Sequence, residues 1–531
     1  MVSSHRLVIK DAAWQLTVRL ISALFGFLTI KIISPYLGPL QYGDYSTILK
    51  YFAIWTALAD LWLYVLAVKS LGKIKEDAEL AIRKAWQDIK DGTLAAYAPL
   101  RSEYGKFVGT RVLIMSMIYI VAIVVAYLLP AYTSNPYLVR WLPFGMIFSA
   151  SFMFAWIQQL PLQIFWRMDK LSWSLITARL FQIAVLVPVV FFIFKNMTFN
   201  GSTVSIIAFC CIMFSVVASS IWQNIQIHLS AKKLLPLKID FDRKFTKAII
   251  KRNWQYGVSY YLSSFHTLIV LLFLWWFFPT SWWHDYSWFW ALSLSLIEIL
   301  LIIPSSLWNS LLHKVSAYSL IDKRKSMGNL LLLIFWIGWL IAMNFWIFSD
   351  QIILVVSGEA FLGTFESLSK WWSNQVLPFL GIVLLRSFIK QVYNYLFVAV
   401  EKQNVLLPIN LIGVLIGIPL WIWMIPKYGL FGGAITQLTI EFIFMFGAIR
   451  VGKRKKIQPI FSLRKWFLLT IILIVWTSIG YLVMRIRDIN MIQFFVVAIL
   501  LNLSIVYVSL PIIKKIAKGL TVEDSPDVTV Y

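Results

Sequence analysis

Long apolar runs recur along this chain, separated by short charged or turn-forming stretches. Wound as α-helix, about 20 such residues cross the roughly 30 Å hydrocarbon core of a bilayer. The apolar fraction is 60% and the mean hydropathy is +0.77, both far above the values of a soluble domain. The runs are continuous, whereas a transmembrane barrel would show alternating segments of about 10 residues. The sequence therefore predicts an all-α polytopic membrane protein. The two cysteines, Cys210 and Cys211, are adjacent within an apolar run, so neither a disulfide framework nor a metal site is expected. No cofactor is implied. The N-terminus lacks a small-residue cleavage site after a short apolar core, so the first span is expected to be retained.

Fourteen spans are expected, at 12–34, 44–68, 107–129, 138–165, 173–194, 203–229, 254–278, 288–312, 328–348, 375–400, 404–425, 430–450, 466–484 and 490–513. An even number puts both termini on one side. The chain has 48 Lys and Arg residues; 35 fall on the face carrying the termini, 6 on the opposite face and 7 within spans. That bias predicts cytoplasmic termini. It also accounts for the net charge of +24 without a nucleic-acid partner.

The loops are small. The longest external one, 349–374, has 26 residues, too few for an independent catalytic domain. Loop 69–106 carries Ile74, Ala78, Ala81, Ala85, Trp86 and Ile89 at helical spacing among charges. It reads as an amphipathic helix lying on the inner membrane surface. The basic loops 230–253 and 450–465 read as orientation signals in contact with anionic lipid. The Trp-rich stretches 275–279 and 282–288 read as an aromatic belt at the outer interface, and the acidic tail 519–531 as disordered.

An internal repeat is suggested by two helix starts. Asp169-Lys170 opens the fifth span and Glu401-Lys402 the eleventh, with Pro188 and Pro419 following at similar distance. Two six-helix halves of one orientation would result, a transporter hallmark. The organisation expected is an N-terminal six-helix bundle (1–229), a basic linker (230–253), a C-terminal six-helix bundle (254–450), two further helices (451–513) and a cytoplasmic tail (514–531).

The stretch Tyr36-Leu37-Gly38-Pro39-Leu40-Gln41-Tyr42-Gly43-Asp44-Tyr45-Ser46 resembles a signature that follows the first span of bacterial Wzx-type polysaccharide flippases. These are exporters of the multidrug/oligosaccharidyl-lipid/polysaccharide superfamily. A second stretch, Ile425-Pro426-Lys427-Tyr428-Gly429-Leu430-Phe431-Gly432-Gly433 with Glu441 beyond, resembles that family's turn between spans eleven and twelve. Loop 69–106 departs from the family by its length. The resemblance implies a flippase of the bacterial inner membrane, moving an undecaprenyl-pyrophosphate-linked oligosaccharide from the cytoplasmic to the outer leaflet by alternating access. It further implies membrane lipids, a polysaccharide polymerase and glycosyltransferases as partners.

Such a flippase needs a hydrated passage for a polar headgroup, and cations lining it would offset the lost hydration of pyrophosphate. Arg grips such a group with paired donors and Lys acts as a point charge. Arg386 and Lys390 lie mid-span at i and i+4, on one helix face, and lead the substrate-binding candidates. Arg19, Lys31, Lys50 and Arg179 follow, at depths from which each side chain also snorkels to an interface. The acids Glu298, Glu441 and Asp60, with His266, are candidates for ion coupling or for charge pairing with Arg386 and Lys390. An exporter of cationic solutes from the same superfamily is the alternative, disfavoured by the excess of intramembrane cations. A polytopic glycosyltransferase or polymerase is disfavoured by the lack of paired external carboxylates.

Overall fold

A computed structural model describes residues 4–60, 63–85, 97–128, 136–165, 167–190, 201–277, 280–301, 303–304, 319–363, 372–400, 402–486 and 491–518. All regular structure among them is helical. In chain order the helices are α1 Ser4–Asp60, α2 Leu63–Ala85, α3 Ala98–Leu128, α4 Pro136–Gln158, α5 Leu160–Ile164, α6 Met168–Pro188, α7 Gly201–Ala231 and α8 Arg243–Phe277. They continue with α9 Thr280–Leu300, α10 Leu320–Ile347, α11 Ser349–Ser357, α12 Ser373–Ala399, α13 Leu406–Arg454, α14 Leu463–Ile486 and α15 Met491–Lys518. Among the described residues, nine helices are long and apolar enough to cross a membrane, beside the shorter apolar segments Ile21–Ser34 and Phe289–Leu300.

The chain forms two compact units. One is 13–268; the other is 269–531 together with 1–12. The division falls inside α8, and the expected linker 230–253 ends in residues that already belong to that helix.

Several expectations need correcting. The turn expected at Pro35–Gly43 is helical, within the 57 residues of α1. At 1.5 Å per residue, a straight helix of that size would reach about 85 Å, length enough for two crossings. The 49-residue α13 is interrupted as expected. Gly429 has φ 53° and ψ −130°, a conformation open to glycine because a Cβ would clash there. This glycine lies between the expected spans 404–425 and 430–450. The stretch 349–374, expected as an external loop, contains α11 and a 3₁₀ turn, Glu359–Phe361.

The amphipathic segment after the second span is also corrected. It continues α2, and the protein itself covers its apolar side: Leu71 and Ala78 are buried and Ile74 packs on the same cluster, with Leu100, Tyr104 and Ile164. Lys75 lies 5.4 Å from the Phe165 ring. At least to Ala78, this face is a packing surface rather than a membrane-surface float. Residues Trp86 and Ile89, Glu401 and the acidic tail lie outside the described residues. The side chains of the expected aromatic belt do so as well.

The internal repeat is present in the backbone, in a shifted register. The Arg167 amide donates to Leu162 O at 2.7 Å, and the Lys402 amide to Phe397 O at 2.8 Å. Three residues on, Lys170 N donates to Arg167 O and Val405 N to Lys402 O. Lys402 therefore matches Arg167, not Lys170. The reason is that both chains close one helix with an i to i−5 bond before opening the next.

A second repeated device is tighter. In the first unit, Asp240 N donates to Gly105 O at 3.1 Å, and a Cβ added at Gly109 would lie 2.0 Å from Asp240 O. In the second, Ile460 N donates to Arg324 O at 2.9 Å, and a Cβ at Gly328 would lie 1.9 Å from Ile460 O. Each unit thus clamps the segment after its basic turn onto one helix, at positions i and i+4. Beside the first clamp, Asp242 receives the amides of Lys244 and Phe245 and pairs with Lys106 at 3.2 Å. The Phe245 amide, with Lys106, holds its carboxyl below the usual range. Its contribution to stability is present at neutral pH and lost only as pH falls through that lowered value.

The second unit has an additional fastening. Asn344 on α10 and Asn502 on α15 exchange amide bonds at 2.9 Å. Trp339 donates to Thr477 at 3.1 Å and Trp476 to Ser504 at 2.6 Å. These bonds tie α14 and α15 to α10 and to each other.

The clamps generate a prediction. Gly109→Val and Gly328→Val each force backbone apart where no flexible side chain can yield. Overpacking of this kind costs about 1–3 kcal/mol or more. Thermal unfolding of the detergent-solubilised protein is expected to fall for both, while Gly72→Ala, inside α2 with open space around it, does not lower the midpoint and raises it slightly through helix propensity.

Candidate functional site

In the second unit, α12 and the second half of α13 build a two-rung charged ladder. Lys390 Nζ sits 2.9 Å from Glu441 Oε1, with both side chains buried at 8% and 1% exposure. One turn away, Arg386 Nη1 lies 3.1 Å from Met445 Sδ. The spacing explains the ladder: 386 and 390 share a face of α12, 441 and 445 share a face of α13. Aromatic rings complete it. The Arg386 guanidinium carbon is 4.1 Å from the Phe442 ring centroid, and Lys390 Nζ is 4.9 Å from that of Phe444. Both arrangements favour a cation over a π face.

The two cations differ in what answers their charge. Lys390 is neutralised by a buried carboxylate. Arg386 is half-buried, meets a thioether and a ring, and has no ion pair among the described residues. Its Nε is buried without a hydrogen-bond partner. Tyr393, one turn beyond Lys390, is also buried.

The first unit has its own buried pair. Arg111 on α3 bonds Asp60 at the end of α1, through both the carboxylate Oδ1 and, at 3.1 Å, the backbone carbonyl. The side chains are 1% and 7% exposed. Met153 Sδ accepts from Arg111 Nη2 at 3.1 Å, and the Trp156 ring centroid lies 6.0 Å away. Thr56 and Tyr119 hydroxyls meet at 2.8 Å, and Tyr51 donates to Ala122 O. This polar layer is held by α1, α3 and α4.

Arg111 was not singled out by the sequence. It lies near the start of its expected span, where depth alone gives no reason to choose it. No local pattern marks it, because the acid that meets it, Asp60, lies 51 residues away.

The remaining candidates spread out. Lys50 is buried in α1 at 9% exposure. Lys31 is exposed. Arg179 on α6 is exposed and donates to Gln182 at 2.9 Å. Glu298 is half-buried in the last turn of α9. The side chains of Arg19 and His266 lie outside the described residues. Among the described residues no His, Cys, Asp and Glu cluster has the makings of a metal site.

Residues 8–316 match the sequence model of a family described as polysaccharide biosynthesis protein. The chain belongs to that family. Its fold is also that of solved transporters. The lipid II flippase MurJ in its inward closed conformation is 15% identical, with a TM-score of 0.56 over 94% of this chain and 99% of that one. An inward-facing multidrug resistance MATE transporter of the MOP superfamily is 12% identical, with a TM-score of 0.54 over 84% of this chain and 99% of that one. Its outward-facing counterpart, also 12% identical, gives 0.51 over 85% and 95%. No curated protein matches the chain. At such identities the likeness is one of fold: this family member is a polytopic membrane protein with the helical architecture of MOP-superfamily transporters.

The buried pairs give a prediction. Removing one partner leaves an uncompensated buried charge, at a cost of about 3–5 kcal/mol. Lys390→Met or Glu441→Leu alone is expected to lower thermal stability sharply, and the double variant to recover most of it. Asp60→Asn is expected to destabilise in the same way through Arg111. If the double variant is no more stable than the singles, the ladder is not held by its ion pair.

Proposed function

We propose that this chain is a flippase that carries a lipid-linked oligosaccharide across the bacterial inner membrane. The headgroup would pass from the cytoplasmic to the outer leaflet by alternating access, both termini being cytoplasmic. The cargo is read as an undecaprenyl-pyrophosphate-linked glycan, delivered by glycosyltransferases and passed on to a polymerase. Membership of the polysaccharide biosynthesis family and the fold shared with a lipid II flippase support a transporter of this kind rather than an enzyme.

The observation that carries the reading is the state of Arg386. A guanidinium held by a ring and a thioether, with no carboxylate among the described residues, keeps its charge available for a ligand. Its fork of donors suits two phosphate oxygens at once. Lys390 and Glu441 stiffen the same face without competing for that role, since each neutralises the other. The buried Lys50 and the exposed Arg179 are further cations that the passage would use.

An exporter of cationic drugs fits less well. The acids such a substrate would need in the deep ladder and in the polar layer, Glu441 and Asp60, are each already bound to a cation.

The test is a flipping assay in proteoliposomes with a pyrophosphate-linked lipid oligosaccharide. Hydrogen bonds to a charged group are worth about 1.5–3 kcal/mol, so Arg386→Ala is expected to slow flipping roughly tenfold or more. Arg386→Lys should restore part of the rate, because charge returns without the fork. Full activity in Arg386→Ala would remove this residue from the pathway. The cargo's charge generates a second outcome. Two negative charges leaving an inside-negative vesicle across 100 mV gain about 4.6 kcal/mol. An imposed potential is therefore expected to speed outward flipping, and an uncharged lipid-linked sugar should show no such response.

A further inference from the structure

Each unit turns a strip of mixed cations and apolar side chains outward beside its clamp. In the first unit, Ile239 and Phe241 are 46% and 65% exposed, flanked by the exposed Lys238, Arg243 and Lys244. The strip continues along α8. Thr246 and Ile249 are buried, Thr246 being bonded to Thr110 on α3 at 2.8 Å. The opposite side of the same turns exposes Lys247, Ile250, Lys251 and Trp254, spaced as one helical stripe.

The second unit repeats this arrangement at the matching place. Beside Ile460, itself 40% exposed, Leu463, Trp466 and Phe467 are 72%, 39% and 60% exposed. Lys453, Arg454, Lys455 and Lys456 precede them, all exposed, and Arg464 lies among them.

We infer that each of these two strips is a docking site for anionic phospholipids. Three facts carry this. The strip is strongly basic; of the two acids in the first, Asp242 is already held by Lys106. Large apolar side chains stand outward at the level of the cations, an arrangement that suits the boundary between headgroups and acyl chains. The device occurs twice, at positions that the repeated clamp makes equivalent. A soluble acidic partner or a nucleic acid would answer the charge but leave Phe241 and Leu463 in water. A phosphate headgroup with its acyl chains answers both at once.

The purified protein, delipidated in detergent, is titrated with phosphatidylglycerol or phosphatidylcholine, and bound lipid is counted by native mass spectrometry. Retention of phosphatidylglycerol about fivefold or more above phosphatidylcholine is expected, and high salt should reduce it. Lys244→Gln/Lys247→Gln/Lys251→Gln should bring the two lipids closer together, and Lys453→Gln/Lys455→Gln/Lys456→Gln should act likewise. Phe241→Ser/Trp254→Ser should weaken retention of both lipids. None of these variants should alter the binding of a pyrophosphate-linked oligosaccharide, which separates the strips from the transport pathway. If the wild type holds the two lipids equally, or the Lys→Gln variants keep the full preference, the inference is overturned. Should a variant fail to fold, the wild-type preference and its salt dependence decide alone.

Discussion

Hydrocarbon offers no hydrogen-bond partner, and the rest of this molecule follows from that. Every backbone amide in it must be answered from within the chain, which only helices or closed barrels achieve. Side chains obey the same demand. Arg111 is buried because Asp60 and Met153 meet it, and Lys390 because Glu441 does. Even serines inside the helices return their hydroxyl protons to the preceding turn, as Ser215 does to Ile212 and Ser509 to Ile505. Arg386 meets this demand differently, with no carboxylate partner among the described residues. Its charge is softened by a ring and a sulfur rather than cancelled.

Much of the fold was legible because hydropathy and helix length are local properties. The described parts of all fourteen expected spans lie on helix, apart from residues at their ends, Gln159 and Leu301. The hairpin glycine Gly429 was legible too, as part of a resemblance to a known family. What local reading missed were relations over distance. The helical continuity of α1 across Pro35 and Pro39 runs against the turn chemistry of those residues. The segment after the second span looked free to float because Leu100, Tyr104 and Ile164, which cover it, are remote in sequence. The ladder shows both sides. The common face of Arg386 and Lys390 follows from a spacing of four. The partner of Lys390 was one of several acids available, and its choice depends on how α12 meets α13. Arg111 lay beyond reach, since neither depth nor pattern marks it.

The repeat teaches a related point. Charged helix starts suggested it in the wrong register, because residue identity drifts while backbone geometry persists. The i to i−5 closures at Arg167 and Lys402 keep the correct alignment. So do the clamps at Gly109 and Gly328, where any side chain would strike a carbonyl. Within this repeated frame the two units carry different charges: an Arg–Asp pair set in a hydroxyl layer in one, a Lys–Glu pair beside an uncancelled Arg in the other. The scaffold is duplicated and the chemistry is not.

The Asn344–Asn502 pair has a consequence for biosynthesis. Its members are 158 residues apart, so Asn344 enters the membrane well before its partner exists. At about 5–20 residues per second, the wait is roughly 8–30 s. A bare amide in hydrocarbon for that long would invite pairing with any polar helix nearby. Asn344 already gives one proton to Leu340 O at 2.7 Å, within its own helix, and Asn502 does the same to Ala498 O at 2.7 Å. Each asparagine thus arrives partly satisfied. Only one donor and one acceptor face outward, enough to recognise the other and little enough to wait for it.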